Sequence, residues 1–299
     1  MKLGKINRQS IAISSITSVL KHHNGMPNEL YVIGDIAKFN KTRPPVVAIV
    51  GSRKPTPYGL EATRKLAHGL AKQGVIIVSG LAYGVDAAAH QAALDAGGTT
   101  IAILAGGLHK IYPAGHQNLA QQIVESGGAI ISEWEPGVEA HKYHFLARNR
   151  LVSGIADAVI VTEAAERSGT FSTVRHAVDQ NVPVFAVPGP ITSLLSAGPN
   201  QLLKTPTASP VTDVRDVLDV IAPEILNKMT QTQMIIGDTP LEQAILNLIA
   251  DGLAEGSRIF DSLSTSLKIN IAEFNQTLTY MEIKGLVRPI GGDLWAICK

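Results

Sequence analysis

A mixed α/β chain is predicted, with a doubly wound parallel sheet and a small C-terminal winged-helix domain. Three observations carry this. Val46-Val47-Ala48-Ile49-Val50 and Val75-Ile76-Ile77-Val78 are continuous apolar runs of strand length, the pattern of strands buried on both faces of a parallel sheet. Each stops at a small-residue turn, Gly51-Ser52-Arg53 and Ser79-Gly80, and from Val46 the chain alternates strand and helix six times. Such alternation calls for right-handed crossovers. Past residue 238 the pattern becomes three short helices and a hairpin, as in a winged helix.

Residues 1–43 form a weakly patterned N-terminal extension. Ile11 to Lys21 could be a short amphipathic helix, and Arg43-Pro44-Pro45 is an extended lead into the first strand. Residues 44–222 form the main domain, with strands predicted at 46–50, 75–79, 100–105, 129–132, 158–163 and 183–187. Each is a short apolar run bounded by turn residues. Helices are predicted near 57–73, 84–97, 117–126, 145–156, 169–180 and 213–221. Residues 223–237 look like a linker. The domain 238–299 has helical patterns at 239–253, 256–267 and 270–284, then Leu286-Val287-Arg288, a Gly291-Gly292-Asp293 turn and Leu294-Trp295-Ala296-Ile297. Glycines supply the positive φ angles that a two-residue hairpin turn needs.

With 299 residues, 45% apolar and 17% charged, the chain can bury one large core and one small one. Its one cysteine, Cys298, excludes an internal disulfide. The N-terminus lacks the apolar core of a signal peptide, and no apolar run approaches the ~20 residues of a membrane helix. A cytoplasmic protein without membrane association is expected. Charge is uneven: residues 1–43 hold 7 Lys+Arg against 2 Asp+Glu, residues 44–222 hold 13 against 14, and residues 223–299 hold 6 against 9. A nucleic-acid partner would therefore meet a local basic patch, and the acidic tail is poorly suited to gripping phosphates.

The turns carry the candidate chemistry. At Gly51-Ser52-Arg53, glycine would let an anion approach the backbone while Ser52 and Arg53 add donors; equally, the glycine could serve only a tight βα turn. No Gly-x-Gly-x-x-Gly stands here and no Walker-type loop occurs anywhere, so dinucleotide and nucleoside-triphosphate readings lose their main support. Ser79-Gly80 repeats the same logic. Asp86 and His90, four apart, share a helix face as a structural or an acid–base pair, the structural pair being favoured. The nine histidines show no zinc spacing with the single cysteine; neither metal nor cofactor is expected.

His141-Lys142-Tyr143-His144-Phe145 followed by Arg148-Asn149-Arg150 is the densest basic and aromatic cluster. Rings stack on exposed bases while cations take phosphates; the plainer alternative is a solvated helix start with Phe145 in the core. Arg148 and Arg150 cannot share a helical face, so one of them serves structure, with Glu133 or Glu163 as its partner. Ser168 is a good N-cap, and the amides of Gly169 and Thr170 would face a bound anion.

Val50-Gly51-Ser52-Arg53 with Tyr58-Gly59, and Ser79-Gly80-Leu81-Ala82 with Gly84-Val85-Asp86 and Ala89-His90, open a longer ordered series. Gly107, Tyr112-Pro113, Ser132-Glu133, Phe145, Arg148-Asn149-Arg150, Glu163-Ala164, Arg167-Ser168-Gly169 and Ala186-Val187-Pro188-Gly189 continue it. Across roughly residues 27–222 the series resembles the DNA-processing protein A family, also called DprA or Smf. The resemblance implies an extended Rossmann-like domain in a non-catalytic homodimer that binds single-stranded DNA, protects incoming strands during natural transformation and loads the recombinase RecA. It places the phosphate pocket on Gly51, Ser52, Arg53, Ser79, Gly80, Arg148, Ser168 and Gly169, with Lys142 and Phe145 along the strand's path. Asn149, Arg150 and Thr170 complete the candidate set. The sequence departs from the family pattern at Tyr83, where arginine is usual, at 168–174, and at Lys204-Thr205-Pro206-Thr207. A second reading is a phosphoribohydrolase of the lysine-decarboxylase-like (LOG) group, but Thr173 stands where that group has its catalytic glutamate, and a hydroxyl cannot replace the carboxylate.

Overall fold

The computed structural model describes residues 8–12, 25–27, 29–36, 44–226 and 237–298. The chain divides into two compact units, 1–226 and 227–299.

The first unit is built on one nine-stranded sheet. Its strands are β1 (Arg8–Ala12), β2 (Glu29–Gly34), β3 (Val46–Val50), β4 (Ile76–Ser79), β5 (Thr100–Ile103), β6 (Ala129–Ser132), β7 (Ala158–Val161), β8 (Val184–Ala186) and β9 (Ser209–Pro210). Their spatial order is β1-β2-β6-β5-β4-β3-β7-β8-β9. From β6 to β9 every pairing is parallel. The helices between them are α1 (Pro57–Lys72), α2 (Val85–Asp95), α3 (Gln117–Glu125), α4 (Lys142–Ile155), α5 (Thr170–Asp179), α6 (Ala197–Leu203) and α7 (Val214–Ile221). The central strands are buried at every position, which is why they are apolar without alternation. Ile49, Ile77, Ile101 and Ile103 are wholly buried, each contributing about 1.5–3 kcal/mol of transfer free energy. Local signals agree with the packing: α1 opens with Pro57 after Thr56, whose Oγ1 accepts the Gly59 N–H at 3.2 Å.

Several elements differ from expectation. β1 and β2 extend the sheet with antiparallel pairings, Ile11 opposite Leu30 and Val32 opposite Ile131. Ile11 and Ala12 are thus strand residues and not helical; residues 13–21 of the expected helix lie outside the described residues. The ladder to β2 supplies order that the local pattern does not. Helix α4 begins at Lys142, three residues before the expected 145, and α6 and β9 were not expected. Of the expected linker, 227–236 lies outside the described residues.

The second unit holds α8 (Pro240–Ala250), α9 (Gly256–Leu267), α10 (Ile271–Ile283) and the antiparallel hairpin β10 (Val287–Gly291) and β11 (Leu294–Ile297). Thr239 and Asn270 cap α8 and α10 through the N–H groups of Glu242 and Glu273. Gly291 (φ 113°) and Gly292 (φ 61°) take the left-handed conformations the turn demands. The unit has its own core around Ile245, Ile259, Phe274 and Met281.

Candidate nucleic-acid interface

β3 lies between β4 and β7, and the chain runs outward from β3 in both directions. The strand order therefore reverses here, and the loops at the carboxyl ends of β3 and β7 part to leave a crevice. A cavity of about 550 Å³ opens at that point. Ten of the thirteen candidate residues line it, so the crevice gathers most of the set: Gly51, Arg53 and Gly80 from strand ends, Lys142, Phe145, Arg148 and Asn149 from α4, and Ser168, Gly169 and Thr170 at the start of α5. Lys142, Phe145, Leu146, Asn149 and Val152 follow the three-and-four spacing of one helical face. The early start of α4 is what brings Lys142 onto that face.

At the mouth, the exposed Arg53 guanidinium sits 5.1 Å from the centroid of the half-buried Phe145 ring. Cation–π attraction of this kind is worth about 0.5–1 kcal/mol at an exposed site. Tyr112, which the sequence did not single out as a ligand, meets Phe145 edge-on at 5.6 Å. Lys142 is exposed beside them.

The floor is made of groups that are already engaged. Buried Arg148 donates from Nη1 to the carbonyl oxygens of Gly80 (2.8 Å) and Ile103, and from Nε to Asn149 Oδ1 (3.3 Å). Burial lowers its pKa to about 10, opposed by the Asp86 charge and assisted by Arg53; it stays protonated at neutral pH. Asp86 Oδ2 accepts the N–H groups of Gly80 (3.1 Å) and Ala82 (3.3 Å). Burial pushes its carboxyl above the usual carboxylate range, with Arg148 and these hydrogen bonds pulling the other way. The aspartate thus clamps the turn after β4 while the arginine ties the ends of β4 and β5 together.

Three candidates do not line the cavity. The Ser79 hydroxyl is buried and donates to the Ile49 carbonyl at 2.6 Å. Ser52 gives its N–H to the Glu163 carbonyl (2.7 Å) and its Oγ accepts from Lys54 N (3.1 Å). Arg150 turns to Glu133 at 2.5 Å, one of the two partners considered. The other, Glu163, accepts from the N–H and hydroxyl of Thr56. Amide assignments change as well. Gly80 N–H is held by Asp86, and Thr170 N–H by Ser168 Oγ at 3.2 Å, with Gly169 rather than Ser168 at the N-cap position. Asp86 and His90 do not pair; His90 Nδ1 meets Thr100 Oγ1 at 2.7 Å. At Gly51 a Cβ would lie 2.8 Å from the Glu163 carbonyl oxygen, so close strand packing alone requires glycine there. Tyr83 is exposed, edge-on to His116 at 4.6 Å.

Residues 10–222, which hold this whole arrangement, match the family model for DNA recombination-mediator protein A. The chain belongs to that family. Among its relatives, a DNA processing protein DprA of Mycobacterium tuberculosis H37Rv is 36% identical over 281 residues, covering 91% of this chain and 69% of that one. The protein Smf of Escherichia coli K12 is 42% identical over 193 residues, 64% of this chain and 50% of that one. Two solved structures share the fold. The Helicobacter pylori DNA processing protein A, described for its single-stranded DNA binding mode, superposes with TM-score 0.66 at 34% identity, covering 75% of this chain and 99% of that one. DprA of Streptococcus pneumoniae gives 0.64 at 36%, covering 74% and 76%.

Proposed function

We propose that this member of the DNA recombination-mediator protein A family binds single-stranded DNA at the crevice and acts without catalytic turnover. Arg53 and Lys142 take backbone phosphates, and the Phe145 ring takes an unstacked base. The observation that carries this is the Arg53–Phe145 pair at the cavity mouth, an exposed cation set over a half-buried aromatic ring. Single strands satisfy that pairing because their bases are free to stack, whereas duplex bases are already stacked on one another. Arg148 acts as a fixed positive floor and backbone brace. Family resemblance supports the rest: a cytoplasmic homodimer that shields incoming strands in transformation and passes them to RecA for recombination. A phosphoribohydrolase reading has less support, since Thr173 lines the cavity where that group needs a carboxylate, and the carboxylate nearby, Asp86, is committed to backbone amides.

The test is an anisotropy titration of the full chain with single- and double-stranded oligonucleotides over a range of salt, beside a nucleoside-monophosphate hydrolysis assay. Tighter single-strand binding that weakens steadily with salt, with no base released, is expected. Equal affinity for duplex, or release of free base, would overturn the proposal.

A further inference from the structure

We infer that Tyr143, with His141 beside it, forms a second base-stacking step outside the cavity, taking the next nucleotides of the strand bound there. The inference rests on the single-strand reading above. Tyr143 is 63% exposed, more than the other tyrosines at the surface, yet its ring is held from behind. Buried His144 packs against it edge-on at 4.1 Å and lies 3.8 Å from the Trp134 ring, which also meets Tyr143 at 6.5 Å. The exposed His141 ring lies parallel to that of Tyr143, within 2°, with centroids 6.1 Å apart. A backed stack therefore presents two parallel rings to solvent. Rings already fixed by their neighbours lose little side-chain freedom on meeting a base.

Position and charge identify the occupant. Tyr143 adjoins Lys142, which lines the cavity, and successive helical residues point about 100° apart. A strand with one phosphate on Lys142 would turn one base inward to Phe145 and offer a neighbouring base to Tyr143. Glu139, the acidic residue nearest the helix start in sequence, is drawn toward His109 and Lys110, at 3.6 and 3.7 Å. What remains at the helix start is aromatic and basic, the pairing that single strands favour.

The experiment compares oligothymidylates of about four and about twelve nucleotides on the full-length wild type, Tyr143→Ala, His141→Ala and Tyr143→Phe, with folding checked by circular dichroism. Tyr143→Ala should lose about fivefold or more of its affinity for the long strand, and less than about twofold for the short one that fills the cavity alone. His141→Ala should show a smaller loss of the same kind, and Tyr143→Phe should keep wild-type affinity. Wild-type affinity of folded Tyr143→Ala for the long strand, or an equal loss on both lengths, would overturn the inference alone. A wild type that binds neither strand would overturn the single-strand reading and this inference with it.

Discussion

The Arg148 guanidinium lies against Gly80 so closely that a Cβ there would come within 2.3 Å of both Nη1 and Nη2. The glycine is required by the arginine, and the arginine by the carbonyl oxygens it ties together. Gly80→Ala should therefore cost about 1–3 kcal/mol of stability through overpacking and weaken strand binding by displacing the cavity floor. Urea denaturation checks the first effect; an unchanged midpoint would mean that the guanidinium is free to shift.

Arg150 and Glu133 make the opposite kind of pair, structural and facing away from the cavity. Arg150→Ala leaves a mostly buried carboxylate (8% exposed) uncompensated, and should lose on the order of 3 kcal/mol. The salt dependence of strand binding should stay as in wild type. Replacing both residues together, Glu133→Leu with Arg150→Met, should recover most of the lost stability.

Acid should find a weak point at His90. Its Nδ1–H donates to Thr100 Oγ1, whose own proton goes to the Ile77 carbonyl. Burial, with His116 and Arg148 adding, lowers its pKa to about 3. The folded state keeps the ring neutral while the unfolded chain takes a proton near its ordinary value. The stabilisation is thus complete above that value and fades as pH falls from about 6.5 toward 3, by up to ~1.4 kcal/mol per pH unit. His90→Gln should flatten the fall between pH 6.5 and 5 by one proton's worth, read from denaturation midpoints across pH. His176, also lowered by burial, acts with the same sign in both proteins and cancels from the comparison.

Removing residues 238–299, which carry 5 Lys+Arg against 8 Asp+Glu (5 − 8 = −3), should leave strand affinity largely intact, because phosphate neutralisation dominates such binding. A loss beyond about tenfold would assign the second unit a direct role.

The parallel sheet was legible because strands buried on both faces are apolar with no alternation, as β3 is throughout and β4 is up to Ser79. β1 and β2 were not, since their order comes from distant partners. Residue types at the strand ends marked the crevice, but spacing cannot say which donors the protein has already used. Ser79 faces Ile49, the Gly80 and Thr170 amides are held by Asp86 and Ser168, and Ser52 serves Glu163. Arg53 and Lys142 are exposed, with no carbonyl or carboxylate arranged to receive either among the described residues, while Arg148 has two carbonyls. The split between an exposed and a bracing arginine is a property of the fold.

The most direct test is the slope of log affinity against log salt for single-stranded DNA in wild type and Arg53→Ala. Loss of one phosphate contact should weaken binding and reduce the slope by about 0.7–1. A folded Arg53→Ala protein with wild-type affinity and wild-type slope would contradict the assignment of this crevice to a nucleic-acid backbone.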